Sequence, residues 1–161
     1  ETQRYYAAAC YEVIGADAVT LNPFMGRDTL EPFLEYPDKG IYLLAVTSNP
    51  GAQDIEMRRV VQGGSAGRYV FEIVADMIKD VPQGGLVVGL TNASGEVLER
   101  IPDVPLLIPG LGAQGGDLAV LRGAKRHAPV LVNVSRGILY ADPEKSFADK
   151  AASWSRLIAG A

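Results

Sequence analysis

The sequence predicts an α/β fold whose strands form one parallel sheet. Five short apolar runs have the length of strands, and none alternates cleanly between apolar and polar residues; they lie at 17–22, 40–47, 85–89, 105–108 and 129–133. Uninterrupted apolar runs are typical of strands that are covered on both faces. Segments with the spacing of amphipathic helices separate the runs, and such a βα alternation favours a parallel sheet.

The predicted helices follow from apolar residues that recur every three or four positions. The first pattern is carried by Tyr6, Cys10, Val13 and Ile14, and weaker or shorter patterns lie at 30–34, 69–78, 97–101 and 118–121. Asp142 and Pro143 are predicted to cap and begin a last helix, whose apolar face comprises Phe147, Ala151, Trp154, Leu157 and Ile158. The long connection at 53–66 is consistent with a small hairpin or a mobile excursion.

Length and composition predict a single domain over residues 1–161. The chain is 48% hydrophobic and 21% charged, which suits one sizeable core. Its net charge of −4 is spread without blocks, and this argues against a nucleic-acid partner or a polybasic membrane face. Cys10 has no second cysteine to pair with, and no apolar run approaches the roughly 20 residues of a membrane span, so we expect a cytoplasmic protein.

Two glycine-containing segments follow the last two predicted strands and indicate an anion site. Residues 109–117 read PGLGAQGGD, in which bare backbone N–H groups can converge on a ligand. Ser135, Arg136 and Gly137 follow the next strand, and an arginine binds phosphate through a bidentate fork. Gln114 adds an amide donor. The alternative is a pair of tight turns with a surface arginine, and the acidic partner of a dinucleotide-binding GxGxxG motif is missing, because position 130 is Val.

Other candidate residues give weaker signals. Ser48 follows the second strand and can donate a hydrogen bond to a ligand, although Thr-Ser-Asn-Pro-Gly is also ordinary turn sequence. His127 is interpreted as part of a solvated helix end and Cys10 as core packing. One His, one Cys and dispersed carboxylates lack the spacing of metal ligands, so no metal site is predicted.

Five segments in order resemble orotidine 5′-phosphate decarboxylase in its bacterial type 2 subfamily: DAVTLNPFMG at 17–26, TSNPGA at 47–52, LVVG at 86–89, PGLGAQGGD at 109–117 and SRGILY at 135–140. The resemblance implies a (β/α)8 TIM barrel, and it makes the five predicted strands strands 4 to 8 of that barrel. It also implies a homodimeric lyase that removes CO2 from orotidine 5′-monophosphate to give UMP, with neither a metal nor an organic cofactor.

The same resemblance assigns binding roles to individual residues. Gln114 and Arg136 would hold the 5′-phosphate beside the backbone N–H groups of Ser135 and Arg136, and Ser48 would contact the pyrimidine. The apolar wall near the departing carboxylate would be formed by Leu44, Val88 and Pro109. Position 20 is Thr, where the family pocket often has an aliphatic residue.

The family's catalytic Asp-x-Lys-x-x-Asp pattern does not occur in residues 1–161, so no catalytic residue is predicted in this chain. A full barrel takes about 250 residues, and we expect that barrel strands 1 to 3 are absent and that the chain alone is inactive. The five strands should then keep chain order, and the edge residues Val19 and Val132 should be incompletely buried. Two alternatives stay open: a noncatalytic module that binds a phosphorylated ligand, and another phosphosugar barrel enzyme.

Overall fold

Five strands form one parallel sheet in a computed structural model that describes residues 1–61, 66–111, 119–124 and 126–160. These strands are β1 (Ala18–Leu21), β2 (Gly40–Val46), β5 (Gly84–Val88), β6 (Leu106–Ile108) and β7 (Val130–Val132). They are arranged in the order β1-β2-β5-β6-β7, and all neighbouring pairs are parallel. The predicted α/β class and strand order are therefore confirmed.

A short antiparallel hairpin interrupts the connection between β2 and β5. Its strands are β3 (Arg59–Val60) and β4 (Arg68–Tyr69), in which Arg59 pairs with Tyr69 and Val60 with Arg68. A 3-10 helix at Pro50–Asp54 precedes it. The hairpin interpretation of the long connection is thus confirmed for its two strands, whereas residues 62–65 lie outside the described chain.

The helices are short except for the last one. They are α1 (Thr2–Ala8), α2 (Glu31–Leu34), α3 (Val70–Asp76), α4 (Gly95–Glu99), α5 (Ala119–Gly123), α6 (Arg136–Leu139) and α7 (Phe147–Ala159). The predicted start of α7 at Asp142 and Pro143 is wrong. Ser146 is its N-cap and accepts a hydrogen bond from the backbone N–H of Asp149, while Asp142 adopts a positive φ of 47° in the preceding turn.

Side chains alternate along β2 between two different environments. Ile41, Leu43 and Ala45 belong to the hydrophobic core, which also includes Phe71 and Ile78 from the region of α3. We call this helix-covered side of the sheet the outer face. A Cβ at Gly84 would lie 3.0 Å from Cβ of Ile78, so Gly84 also faces the helices.

The opposite side, which we call the inner face, carries Tyr42, Leu44 and Val87. These three residues lie outside the core cluster. Tyr42 packs across Gly85, where an added Cβ would come within 2.5 Å of the tyrosine ring. Leu131 of β7 is 53% exposed, and Val19 and Val132 on the two outermost strands are half-buried. Within the described residues, β1 and β7 each pair with one neighbour only, as the sequence predicted.

The predicted apolar face of the first helix is confirmed for Cys10, which packs against the core, and is wrong for its other three residues. Tyr6, Val13 and Ile14 are exposed, and the buried residues are instead Ala7 and Tyr11. Residues Ala9–Val13 form a π-helical turn, so a repeat of 3.6 residues does not describe this segment. The Tyr11 hydroxyl donates to the carbonyl of Gly40 at 2.9 Å, and burial raises its pKa to about 12.

At the amino-terminal edge of the sheet, Asp103 joins the segments that precede β6 and β7. Its carboxylate accepts hydrogen bonds from the backbone N–H groups of His127 and Ala128, and these bonds lower the pKa of the carboxyl group. The Arg126 side chain is only 6% exposed and donates to the carbonyls of Pro102 and Val104. His127 therefore lies at the edge opposite to the polar strand ends described below.

Candidate functional site

The carboxyl-terminal ends of the five parallel strands meet at one edge of the sheet. The residues that follow these strands include Asn22, Ser48, Gly89, Pro109 and Asn133. Parallel sheets bind ligands at this edge, because the loops there converge while the strands behind them stay rigid. Ser48, Gly89 and Pro109, which follow β2, β5 and β6, therefore lie at the same edge of the sheet.

Ser48 is fixed against the end of the adjacent strand. The backbone N–H of Gly89 donates to the carbonyl of Val46 at 2.6 Å, which draws the end of β5 against the end of β2. A Cβ at Gly89 would lie 2.7 Å from both N and Oγ of Ser48. Only glycine permits this approach, so the glycine that ends the LVVG motif is needed to place Ser48 against β5.

Two side chains hold the backbone on either side of Ser48. The Glu56 carboxylate accepts hydrogen bonds from the backbone N–H of Thr47 at 2.7 Å and from its hydroxyl at 2.9 Å. On the other side, Nδ2 of Asn92 donates to the carbonyls of Thr47 at 2.8 Å and Asn49 at 3.0 Å. We call residues 47–49 the serine segment. Its backbone is thus held from two different loops.

Sequence reasoning missed the roles of Glu56 and Asn92. Asn92 follows the end of β5, and its position at a polar strand end was the available signal. Glu56 lies in the irregular connection between β2 and the hairpin, nine residues after Thr47, and this spacing corresponds to no local motif. Its contact depends on how the long connection folds back, which periodicity does not report.

The three residues predicted to form an apolar wall lie in different environments. Leu44 is half-buried on the inner face, and Pro109 is half-buried directly after β6. Val88 is fully buried within the hydrophobic core on the outer face. Its neighbour Val87 is paired in register with Leu44 and is 4% exposed. Side-chain alternation therefore gives the inner face Val87 and not Val88.

Ser135 and Arg136 lie where the last described strand leads into α6. Both side chains are exposed, and the Ser135 hydroxyl donates to Oδ1 of Asn133 at 3.3 Å. The backbone N–H of Asn133 donates in turn to the carbonyl of Ile108, which ties this end to the end of β6. Gln114, the other predicted phosphate ligand, lies outside the described residues.

The last helix supports the segment that contains Arg136. A Cβ at Gly137 would lie 2.8 Å from Nε1 of Trp154, so the α6 backbone rests directly on the indole ring. Lys150 is buried on the same helix, and its Nζ donates to the carbonyl of Ala141 at 2.9 Å. The Ser-Arg-Gly motif thus combines an exposed cation with a glycine that fits against α7.

The chemistry offered by the described residues is that of ligand binding. A hydroxyl at Ser48 and a guanidinium at Arg136 are donors suited to a polar ring and an anion respectively. In the described parts of the chain, no group of three His, Cys, Asp or Glu side chains is arranged to hold a metal ion. The described helices also include none that is long and apolar enough to cross a membrane.

The sequence profile of the Orotidine 5′-phosphate decarboxylase / HUMPS family matches residues 2–151. The chain belongs to this family. The orotidine 5′-phosphate decarboxylase of Aromatoleum aromaticum is 47% identical over 148 residues, which cover 89% of the chain and 55% of that relative. The enzyme of the same name from Thermomicrobium roseum is 43% identical over 166 residues, covering 98% of the chain and 58% of that relative.

A solved structure of this family supports the fold over the whole chain. The structure of Leishmania donovani OMP decarboxylase superimposes with a TM-score of 0.79 at 34% sequence identity, and it covers 100% of the chain and 64% of that protein. The five-stranded sheet is therefore part of the family's TIM-barrel architecture. The chain spans just over half the length of the curated relatives that it matches.

Proposed function

We propose that the protein decarboxylates orotidine 5′-monophosphate to UMP in pyrimidine biosynthesis. The observation that carries the proposal is family membership over residues 2–151, together with relatives named orotidine 5′-phosphate decarboxylase at 47% and 43% identity. The convergence of Ser48, Pro109 and Arg136 at the carboxyl edge of the sheet supports it, because this is the ligand-binding edge of βα barrels.

In this proposal the chain binds the substrate at its two ends. The Ser48 hydroxyl contacts the pyrimidine, and Arg136 holds the 5′-phosphate with the backbone N–H groups of Ser135 and Arg136. Gln114 completes the phosphate contacts. Leu44 and Pro109 contribute to the apolar wall beside the reacting carboxylate, and we assign Val87 to this wall in place of Val88, because Val87 shares the inner face with Leu44.

The reaction breaks the bond between C6 of the pyrimidine and its carboxylate. CO2 leaves, the electron pair stays at C6, and a proton is added to that carbon. We propose that the family's lysine supplies this proton and that its aspartates lie beside the carboxylate, in the part of the relatives' length that this chain does not span. Phosphate binding by Arg136 contributes from a distance, since contacts far from the reacting carbon can lower its barrier.

The remaining features of the proposal come from the family resemblance and the reaction. The protein would be a homodimer in the cytoplasm, it would use no metal or organic cofactor, and its ligands would be orotidine 5′-monophosphate and UMP. The scattered charge of the chain, with a net value of −4, gives no support for a nucleic-acid or membrane partner.

The test is to express the full-length protein that contains this chain and to measure conversion of orotidine 5′-monophosphate. We expect UMP and CO2 in equal amounts, at a rate that EDTA does not change, and the Arg136→Ala variant should show a higher KM. A protein that binds UMP but releases no CO2 would be a noncatalytic module. Turnover of another sugar phosphate, without turnover of orotidine 5′-monophosphate, would identify a different barrel enzyme.

A further inference from the structure

We propose that Glu56 is a positioning residue that fixes Ser48 for its contact with the pyrimidine. This inference rests on the proposed function, because it assumes that Ser48 contacts the ligand. Glu56 itself needs no ligand contact in this role. It acts through Thr47, whose backbone N–H and hydroxyl both donate to its carboxylate.

The geometry at Thr47 supports a firm anchor. The backbone N–H of Thr47 lies 2.7 Å from Oε2 of Glu56, and the Thr47 hydroxyl lies 2.9 Å from Oε1 and 3.1 Å from Oε2. Hydrogen bonds to an ionised carboxylate are shorter and stronger than those between neutral groups. Two donors from one residue also fix the orientation of Thr47, the residue that precedes Ser48.

Glu56 is itself attached to the start of α3. Its backbone carbonyl accepts a hydrogen bond from the N–H of Phe71 at 3.1 Å, and the carbonyl of Arg58 accepts one from Val70 at 2.9 Å. Phe71 is fully buried. The Glu56 side chain therefore adds a connection between the serine segment and the hydrophobic core.

The half-buried Glu56 side chain borders open space. Asn22, Phe24, Thr47 and Glu56 are among the residues that line a cavity of about 310 Å³ beside the serine segment. A side chain that borders open space can move into it when its hydrogen bonds are lost. The position of Thr47, and hence that of Ser48, should consequently depend on the charge of Glu56.

The test compares Glu56→Gln and Thr47→Val in the full-length enzyme, with Glu96→Gln as the matched control. Glu96 is exposed and pairs with Arg100 on α4, so its neutralisation removes a carboxylate without touching the serine segment. We expect Glu56→Gln to lower kcat/KM for orotidine 5′-monophosphate by about 10- to 100-fold, as expected for a misplaced substrate contact. Thr47→Val, which removes only the hydroxyl donor, should cost about 3- to 10-fold.

Two readouts separate positioning from a general loss of structure. Ribose 5-phosphate lacks the pyrimidine, so its affinity should be the same in Glu56→Gln and in the unmodified protein, while UMP affinity falls. The double variant Ser48→Ala/Glu56→Gln should be no more than about twofold worse than Ser48→Ala, because residues that act through one contact are not additive. Equal losses for ribose 5-phosphate and UMP, or additive losses in the double variant, would overturn the proposal.

Amide hydrogen exchange tests the inference without using activity. The Thr47 amide should exchange faster in Glu56→Gln than in the unmodified protein, and unchanged exchange would refute the anchoring role. If the unmodified protein does not decarboxylate orotidine 5′-monophosphate, the proposed function fails, and the exchange result still decides whether Glu56 fixes the serine segment. Thr47→Val provides the same comparison if Glu56→Gln does not fold.

Discussion

Replacing Gly89 with alanine should displace Ser48 and reduce both the activity and the stability of the protein. The added methyl carbon would lie 2.7 Å from N and Oγ of Ser48 and 2.9 Å from its Cα, whereas ordinary contacts begin near 3.4 Å. Relieving this overlap requires a shift of about 0.7 Å, and a misplacement of about 1 Å in a substrate contact can cost about 100-fold in rate. We therefore expect kcat/KM to fall by about 10- to 100-fold.

The stability of Gly89→Ala should also fall, by a free energy comparable to the 10- to 100-fold loss in kcat/KM, which corresponds to about 1.4–2.7 kcal/mol. Inserting a methyl group into a packed region costs about 1–3 kcal/mol, and both the serine segment and Gly89 end strands that can adjust slightly. Gly95→Ala is the matched control, because a Cβ at Gly95 meets nothing within 4 Å and this residue begins α4. That variant should keep full activity and equal or higher stability.

The assay is the rate of decarboxylation by the full-length protein, measured beside urea unfolding and the affinities for UMP and ribose 5-phosphate. Retention of normal kcat/KM and UMP affinity by Gly89→Ala would refute the reasoning, since the close approach of Gly89 to Ser48 would then have no functional importance. A parallel loss of ribose 5-phosphate affinity would show that the substitution disturbs more than the pyrimidine contact.

Three further predictions concern residues 136 and 137, which follow β7, and Asp103 at the amino-terminal edge of the sheet. Arg136→Ala should weaken the binding of a 5′-phosphorylated ligand by about 2–4 kcal/mol, while the affinity for unphosphorylated orotidine should hardly change. Equal weakening in titrations of both ligands would show that Arg136 has a structural role and does not bind the phosphate. Gly137→Ala should lower both Tm and UMP affinity, because its Cβ would lie 2.8 Å from Nε1 of Trp154. Gly123→Ala is the control, because a Cβ at Gly123 meets nothing within 4 Å. A thermal melt and a binding titration of this control should show unchanged Tm and UMP affinity. The pKa of Asp103 is lowered in the folded state, so its stabilising contribution is complete above the unfolded pKa of about 3.9 and is lost as pH falls through the lower folded value. The stability difference between the unmodified protein and Asp103→Asn should therefore shrink as urea titrations move below pH 4, and a difference that stays constant would contradict this assignment.

The strands of the parallel sheet were predictable because each of them corresponds to an uninterrupted apolar run of strand length. The run predicted at 40–47 corresponds to β2, Gly40–Val46, and the run predicted at 129–133 corresponds to β7, Val130–Val132. The βα alternation predicted a parallel sheet, and the resemblance to a (β/α)8 barrel implied that its strands pair in chain order. The same resemblance implied two open sheet edges, and the edge residues Val19 and Val132 are half-buried as predicted.

Local geometry explains what the sequence did not predict. The π-helical turn at Ala9–Val13 rotated the buried face towards Ala7 and Tyr11. In the site, Val88 was assigned to the apolar wall although alternation along β5 gives the inner face Val87. Glu56 was missed because its partner Thr47 is reached only after the long connection has folded back.

The chain-order arrangement of the sheet also has a consequence for how the protein folds. Ala18 pairs with Gly40 and Leu86 with Leu106, separations of 22 and 20 residues, whereas Ile41 and Gly84 are 43 residues apart because the hairpin lies between them. Doubling the length of a flexible loop adds only about 0.6 kcal/mol to the entropy cost of closing it. Each strand can therefore dock on one that has already emerged from the ribosome, and the connection that carries Glu56 can lengthen at little cost to strand pairing.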